Sequence, residues 1–180
     1  MATLRPEELD FADRSPWRFD VGSALTAPPA EVWSAFTDND TWTTWYVKCR
    51  ICKSTSAARE GVGATRYIEV DTLEAHERVI AWEPERLWAF TVTELARPFC
   101  TAMVERAIFA PTPAGGTDVT YRMASEPRWW ARPLRRVIAH RMAKAWTASF
   151  TELDRFLAAR RATTGSPTDT TDTGTTTHDD

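Results

Sequence analysis

The sequence contains few residues of the kinds that mark metal centres, disulfide scaffolds or membrane spans. It has three cysteines, three histidines and seven glycines among 180 residues. No apolar run approaches the roughly 20 residues that a helix needs to cross a bilayer. Neither a glycine-rich phosphate loop nor a nucleophile–histidine–acid pattern is present. The sequence therefore predicts a protein without a metal, a nucleotide or any other cofactor.

The cysteines suggest free thiols. Cys49 and Cys52 form a CxxC pair, but residues 47–55 have the pattern of a strand, where positions i and i+3 face opposite sides. A zinc site would need a second such pair or a nearby histidine, and neither is present. We interpret them as ordinary buried or edge cysteines. The charged N-terminus lacks the apolar core of a signal peptide, so a cytoplasmic protein is expected.

The net charge of −3 arises from the end of the chain. Residues 163–180 contain four aspartates, no lysine or arginine, and nine threonines. The remaining residues carry 22 basic and 21 acidic side chains. This balance gives no basic surface for a nucleic acid. The sequence predicts a loose extension over residues 1–15, one domain over residues 16–162 and a disordered tail over residues 163–180.

Short alternating segments fill most of the domain. They predict seven strands, which end at turns rich in glycine and proline. The predicted strands are Trp17–Leu25, Cys49–Ala57, Ala64–Thr72, Glu74–Glu83, Leu87–Leu95, Phe99–Ala110 and Thr117–Ser125. Pro28 and Pro29 predict the start of a short helix after the first strand, and Asp38 to Asp40 the N-cap of a second.

One long amphipathic helix is predicted over residues 131–161. At 1.5 Å per residue it is about 45 Å long. Its apolar side chains recur at spacings of three and four, which is typical of a buried face. They are Leu134, Ile138, Met142, Ala145, Trp146, Phe150, Leu153 and Leu157. Only a strongly curved sheet can cover so long a stripe, and such a wrap suggests a cavity for a ligand.

Four short motifs follow one another along the domain, at residues 27–33, 42–45, 83–87 and 115–121. In this order they resemble the START and birch-pollen-allergen-like superfamily, also called SRPBCC, and within it the polyketide cyclase/dehydrase-like branch. The resemblance covers about residues 17–160. It implies an α+β helix-grip fold, a seven-stranded curved antiparallel sheet wrapped around the C-terminal helix. It also implies a cavity between sheet and helix for a lipid, polyketide, sterol or quinone.

The alternation of the last predicted strand indicates which side chains face this cavity. Val119, Tyr121 and Met123 share the apolar face. With the usual hairpin pairing, Met103 and Glu105 of the preceding strand also face inward. Glu105 would then lie among apolar neighbours, where burial raises the pKa of a carboxyl. It would anchor a ligand or transfer protons, or it would instead form a structural ion pair.

Aromatic and sulfur-containing side chains supply the predicted cavity wall. The nine tryptophans favour an aromatic-lined pocket as a set, although plain core packing explains each one singly. The predicted ligand-binding residues are Trp42, Trp45, Trp88, Met103, Glu105, Tyr121, Met123, Met142, Trp146 and Phe150.

The start of the terminal helix is basic. Residues Arg128–Lys144 contain six arginines and lysines, no acidic residue, and the pair Trp129 and Trp130. Transient contact with an anionic membrane surface is one interpretation, and a solvated helix face is the other. Arg141 either binds an acidic head group at the cavity mouth or extends into solvent.

Three functions are consistent with these patterns. The first is a binding protein for a hydrophobic or amphipathic small molecule. The second is a polyketide aromatase/cyclase or dehydratase in which Glu105, Tyr121 or Arg141 is catalytic. The third is an interaction module whose vestigial cavity is filled by the protein's own tryptophans. The absence of a recognisable catalytic pattern favours the first.

Overall fold

A computed structural model describes residues 1–164 and has an antiparallel sheet at its centre. The strands are β1 (Ala2–Thr3), β2 (Trp17–Leu25), β3 (Cys49–Ser54), β4 (Thr65–Val70), β5 (Leu73–Glu83), β6 (Leu87–Leu95), β7 (Cys100–Pro111) and β8 (Thr117–Pro127). Seven of them are ordered β2-β8-β7-β6-β5-β4-β3, and β1 pairs with β6. The predicted seven-stranded curved sheet is confirmed, and the two-residue β1 is an addition to it.

Four helices accompany the sheet. They are α1 (Phe11–Arg14), α2 (Pro29–Thr37), α3 (Trp42–Trp45) and α4 (Arg135–Thr164), with 3₁₀ turns at Asn39–Thr41 and Trp129–Leu134. The two short helices predicted after the first long strand are α2 and α3. Proline in the first turn of α2 costs no hydrogen bond, because that N–H has no partner within the helix. Within residues 1–164, no helix is both long and apolar enough to span a membrane.

The hairpin between β7 and β8 depends on two glycines. Gly115 has a φ of 83°, a conformation that glycine adopts without steric cost. A Cβ atom on Gly116 would lie 2.3 Å from the backbone oxygen of Leu25, at the end of β2. The hairpin can therefore lie against β2 only because this position has no side chain.

Residues 1–15 differ from the loose extension that the sequence predicted. Leu4, Phe11 and Ala12 are each at most 2% exposed. Phe11 and Ala12 pack with Val104 and Ala124 on the face of the sheet that points away from α4. The spacing of these apolar residues in the sequence is too irregular to predict a helix or a strand, but each of their side chains packs against the sheet. The domain boundaries as such stay a prediction.

The terminal helix is held by the segment from Trp146 to Leu157, which contains all of its fully buried side chains. Phe150, Leu153 and Leu157 are at most 1% exposed, and the Asp154 carboxylate accepts a hydrogen bond from the Thr26 N–H at 2.8 Å. Leu134, by contrast, is 45% exposed. The prediction that the buried stripe begins at Leu134 is therefore wrong, because Leu134 lies in the 3₁₀ turn before α4 and the fully buried side chains of the helix begin only at Trp146. Thr163 and Thr164 end α4, and the rest of the predicted tail lies outside the described residues.

Aromatic rings fill one end of the concave face of the sheet. Phe36 of α2 is at the centre of this aromatic cluster, and its ring centroid lies 5.0–6.5 Å from those of its neighbours. The neighbours are Trp42, Trp45, Trp88, Phe109, Trp146 and Phe150. Rings at these separations pack edge to face or offset, which stabilises the core beyond the area that they bury.

Candidate functional site

A groove lies between the edge strand β2 and the first half of α4. It has a volume of about 290 Å³, close to the lower end of the range of small-molecule pockets. Its wall is largely apolar, with Arg18 and Asp20 as the only charged members. The lining residues are Arg18, Phe19, Asp20, Val21, Tyr121, Met123, Ala139, Met142, Ala143 and Trp146. The groove lies beside the part of α4 before Trp146, where no side chain of the helix is fully buried.

Two closely packed rings and a carboxyl group lie at the inner side of the groove. The Trp146 ring lies over the Tyr121 ring, with 3.6 Å between the centroids and 31° between the planes. The Tyr121 hydroxyl donates a hydrogen bond to the Glu105 carboxylate. Glu105 is opposite Met123, and Ala107 opposite Tyr121, in the β7–β8 ladder. The inward-facing register predicted for these strands is therefore confirmed.

The electrostatic surroundings of Glu105 favour its protonated form. Burial raises the pKa of the Glu105 carboxyl to about 7, and the nearby Glu77 carboxylate contributes in the same direction. The hydrogen bond from Tyr121 opposes the rise because it stabilises the ionised form. Burial also raises the pKa of the Tyr121 hydroxyl. Near neutral pH the Glu105 carboxyl can therefore both donate and accept a proton, while Tyr121 stays protonated.

The predicted ligand-binding residues divide into two groups. Tyr121, Met123, Met142 and Trp146 line the groove, and Glu105 contacts it through Tyr121. The others do not line the groove, because four belong to the aromatic cluster and Met103 to the core beside it. These five are Trp42, Trp45, Trp88, Met103 and Phe150. Arg141 is exposed and does not line the groove.

Strand β2 supplies lining residues that the sequence reasoning missed. Phe19 and Val21 are half-buried and line the groove from β2. The signal was present, because both alternate with charged or small residues on a strand that pairs with β8. In that ladder Val21 is opposite Tyr121 and Phe19 opposite Met123. Because directly paired residues face the same side of the sheet, the prediction that Tyr121 and Met123 face inward also implies that Val21 and Phe19 do.

A buried arginine was also missed. The guanidinium carbon of Arg66 lies 4.1 Å from the ring centroid of Trp42, 4.7 Å from that of Trp88 and 4.9 Å from that of Phe90. Its Nη1 donates a hydrogen bond to the Asn39 side-chain oxygen at 3.3 Å. This arrangement, the Arg66 cage, occupies interior space beside the aromatic cluster. The remaining cavity there is about 10 Å³, enough for a single water molecule.

The cysteines are free and buried. Cys49 and Cys52 both lie in the core, whereas the sequence predicted opposite faces, because a β-bulge between Cys49 and Ile51 changes the alternation. Burial raises the pKa of Cys49 to about 11 and that of Cys52 to about 12, so the reactive thiolates are disfavoured. Among residues 1–164, no three side chains of the metal-ligating types are grouped closely enough to hold an ion.

The sheet, the gripped helix and the groove between them define a helix-grip protein of the START/SRPBCC superfamily. The chain belongs to the polyketide cyclase/dehydrase and lipid transport family, whose model matches residues 16–159. The resemblance seen in the sequence motifs is thereby confirmed. No curated protein sequence matches the chain.

Solved structures agree with this fold at low sequence identity. TTHA0849 from Thermus thermophilus is 17% identical, with a TM-score of 0.66 over 80% of this chain and 99% of that one. Ara h 8.0201 is 13% identical, with a TM-score of 0.65 over 79% and 98%. The di-domain ARO/CYC StfQ from the steffimycin biosynthetic pathway is 11% identical, with a TM-score of 0.68 over 81% and 52%. At such identities the similarity establishes the fold alone.

Proposed function

We propose that the protein binds a hydrophobic small molecule that carries a neutral hydrogen-bonding group, in the groove between β2, β8 and α4. The family includes lipid transport and polyketide-processing proteins, so an apolar ligand in this fold is expected. The observation that carries the proposal is the inner side of the groove, where Trp146 lies over Tyr121 and Tyr121 bonds Glu105.

The wall of the groove supports an apolar ligand. Phe19, Val21, Met123 and Met142 offer aliphatic, aromatic and thioether surface, and methionine adapts to irregular shapes. The volume of about 290 Å³ limits the enclosed part of the ligand to a small molecule or to one end of a longer chain.

The polar groups support a neutral head group. Trp146 lines the groove, and its Nε1–H is buried with no hydrogen-bond partner within residues 1–164, so a ligand carbonyl or hydroxyl oxygen that displaced the neighbouring side chains would satisfy it. Glu105 has a pKa of about 7 and lies near the charge of Glu77. A ligand carbonyl would accept a hydrogen bond from protonated Glu105, and a ligand hydroxyl would donate one to its ionised form, whereas an anionic head group would be repelled by ionised Glu105.

A groove-filling substitution tests the proposal. Ala143→Trp places an indole in the groove, and Ala158→Trp makes the same change at an exposed position of α4 outside it. Native mass spectrometry of the protein purified from its own host would identify a retained ligand. We expect the wild type and Ala158→Trp to retain it and Ala143→Trp to lose it. Equal retention by both variants would place the ligand elsewhere.

A second candidate is a cyclase or dehydratase acting on a polyketide-like chain. It is favoured by the Glu105–Tyr121 pair, because a carboxyl with a pKa near 7 is suited to proton transfer at neutral pH. Ionised Glu105 would remove a proton from the carbon next to a ligand carbonyl. The resulting acid would return that proton to the β-hydroxyl group, which leaves as water.

Glu105→Gln separates the two functions. Glutamine keeps the shape of the side chain but cannot transfer a proton. A binding protein retains its ligand with this variant, and a dehydratase loses turnover of a β-hydroxy ketone while still binding it. Failure of the wild type to bind any lipid or aromatic compound in a thermal-shift panel would instead support the third function, an interaction module with a vestigial cavity.

A further inference from the structure

Exposed apolar side chains are concentrated at the start of the terminal helix. Six large apolar side chains are exposed in residues 1–164, and four of them lie within nine residues. Trp129 is 80% exposed, Trp130 45%, Leu134 45% and Val137 53%. We call these four residues the apolar patch. Their concentration requires an explanation because a cluster of exposed apolar side chains normally marks a contact surface.

Unpaired basic side chains surround the apolar patch. Arg132, Arg135, Arg136, Arg141 and Lys144 are all exposed, and none forms an ion pair with a carboxylate of residues 1–164. The second half of the same helix behaves differently. There Arg155 pairs with Glu152 and Arg161 with Glu31. The positive charge at the start of α4 is therefore not compensated within the described chain.

We propose that the apolar patch and its basic surround dock the protein onto an anionic phospholipid bilayer. Tryptophan rings lie preferentially at the level of the lipid head groups. Arginine and lysine beside them attract acidic head groups, and a helix with both features binds in the plane of the membrane interface. The charge and the apolar surface act together, since neither alone holds a protein firmly at a bilayer.

Other occupants of this surface fit less well. A second copy of the chain would bring like charges together, because a twofold interface places each patch against its own equivalent. Of the four aspartates that follow Thr164, Asp169 and Asp172 are too near it in sequence to reach back along a helix that is about 45 Å long, and Asp179 and Asp180 would need an almost fully extended chain. An anionic bilayer supplies both the negative charge and the apolar layer that the patch requires.

The docking surface adjoins the groove. The guanidinium of Arg135 lies 6.0 Å from the centroid of the Phe19 ring, which lines the groove from β2. On α4, the groove residues Ala139, Met142 and Ala143 follow Val137 within two turns. Docking would therefore bring the groove close to the lipid. The inference stands independently of the proposed function, because vesicle binding is measured without a ligand.

Vesicle co-sedimentation of the full chain tests the docking. We expect binding to phosphatidylcholine vesicles that contain about 30% phosphatidylglycerol and little binding to pure phosphatidylcholine. Arg132→Glu/Arg136→Glu should weaken binding at least about tenfold, since two attractive charges become repulsive. Arg155→Glu/Arg160→Glu makes the same charge change at the other end of α4 and should leave binding within about twofold of the wild type.

A second variant tests the apolar contribution. Trp129→Ala/Trp130→Ala retains the charge of the protein and should also reduce binding at least about tenfold. Because these side chains are exposed, circular dichroism melting should show an unchanged fold. The proposal is overturned by absence of binding to the anionic vesicles, by equal losses from charge reversal at the two ends of the helix, or by undiminished binding of the double-tryptophan variant.

Discussion

Arg66 and Glu77 face each other across β4 and β5 and form an ion pair inside the sheet. Arg66 Nε lies 2.5 Å from a Glu77 carboxylate oxygen, and the two side chains are 5% and 7% exposed. Burying two charges costs solvation free energy that their attraction repays only when both are present. The Arg66 cage adds the faces of three aromatic rings to this pair.

Removing one partner of this ion pair should be more harmful than removing both. Glu77→Leu leaves the Arg66 charge buried without compensation, and we expect the free energy of unfolding to fall by about 3–5 kcal/mol. Arg66→Met/Glu77→Leu should lie closer to the wild type than either single variant. Urea denaturation of the four proteins measures this coupling. Additive losses would mean that the pair is not coupled in the folded protein.

The carboxyl of Glu105 should make stability depend on pH. Its pKa is about 7 in the folded protein against an ordinary 4.5, so the folded state binds the proton more tightly than the unfolded state. The resulting stability is complete below pH 4.5 and is lost as the pH rises through 7. The shift corresponds to roughly 3 kcal/mol.

Glu105→Gln isolates this contribution, because Glu77 and every other titrating group remain. We expect the variant to gain stability relative to the wild type as the pH rises from about 5 to about 8. Urea unfolding at several pH values measures the difference. A difference that does not change over this interval would show that Glu105 titrates at its ordinary pKa.

The aromatic cluster should be a major source of stability. Phe36→Ala removes the ring that contacts six others, and we expect a loss of about 3–5 kcal/mol in the free energy of unfolding. Phe156→Ala provides the matched control, since Phe156 is only partly buried at the edge of the core. It should cost less than half as much in the same denaturation experiment. Similar losses from both would contradict a central role for Phe36.

The close approach of the β7–β8 hairpin to β2 predicts opposite effects at two glycines. Gly116→Ala places a Cβ 2.3 Å from the Leu25 backbone oxygen and should destabilise the fold by about 2 kcal/mol. Gly22→Ala meets only an ordinary 3.4 Å contact with the Val119 oxygen and should be neutral or slightly stabilising. Thermal melting compares the two variants, and equal melting temperatures would contradict the steric explanation.

The inward-facing side chains of the β7–β8 hairpin were predictable, because successive residues of a strand face opposite sides of the sheet and only one of these sides is apolar here. Val119, Tyr121 and Met123 determined that face, and pairing extended it to Glu105. The same parity places Arg66 between Ala64 and Ile68 on the inner face. A charged residue contradicts the apolar pattern of an inner face unless an oppositely charged partner is known. Glu77 can be recognised as that partner only from the register of β4 and β5, which the sequence alone does not provide.

Other features depend on where elements end, which local patterns do not contain. The periodicity of the last helix is the same at Leu134 as at Leu157, but the sheet covers only the second. The bulge beside Cys49 changes the alternation within a single strand. The groove was therefore only partly predictable. The periodicity of the helix indicated which of its side chains form the wall, but the position of the groove depends on where the sheet ends.

The attachment of α4 makes its N-terminal segment a lever. The helix is fixed from Trp146 onward by buried side chains and by the bond from Thr26 to Asp154, whereas Arg135 lies 11 residues and about 17 Å before Trp146. A tilt of about 5° at Trp146 displaces Arg135 by about 1.4 Å, which is most of the radius of a methyl group. The width of the outer part of the groove therefore depends on a small angle at a distant pivot.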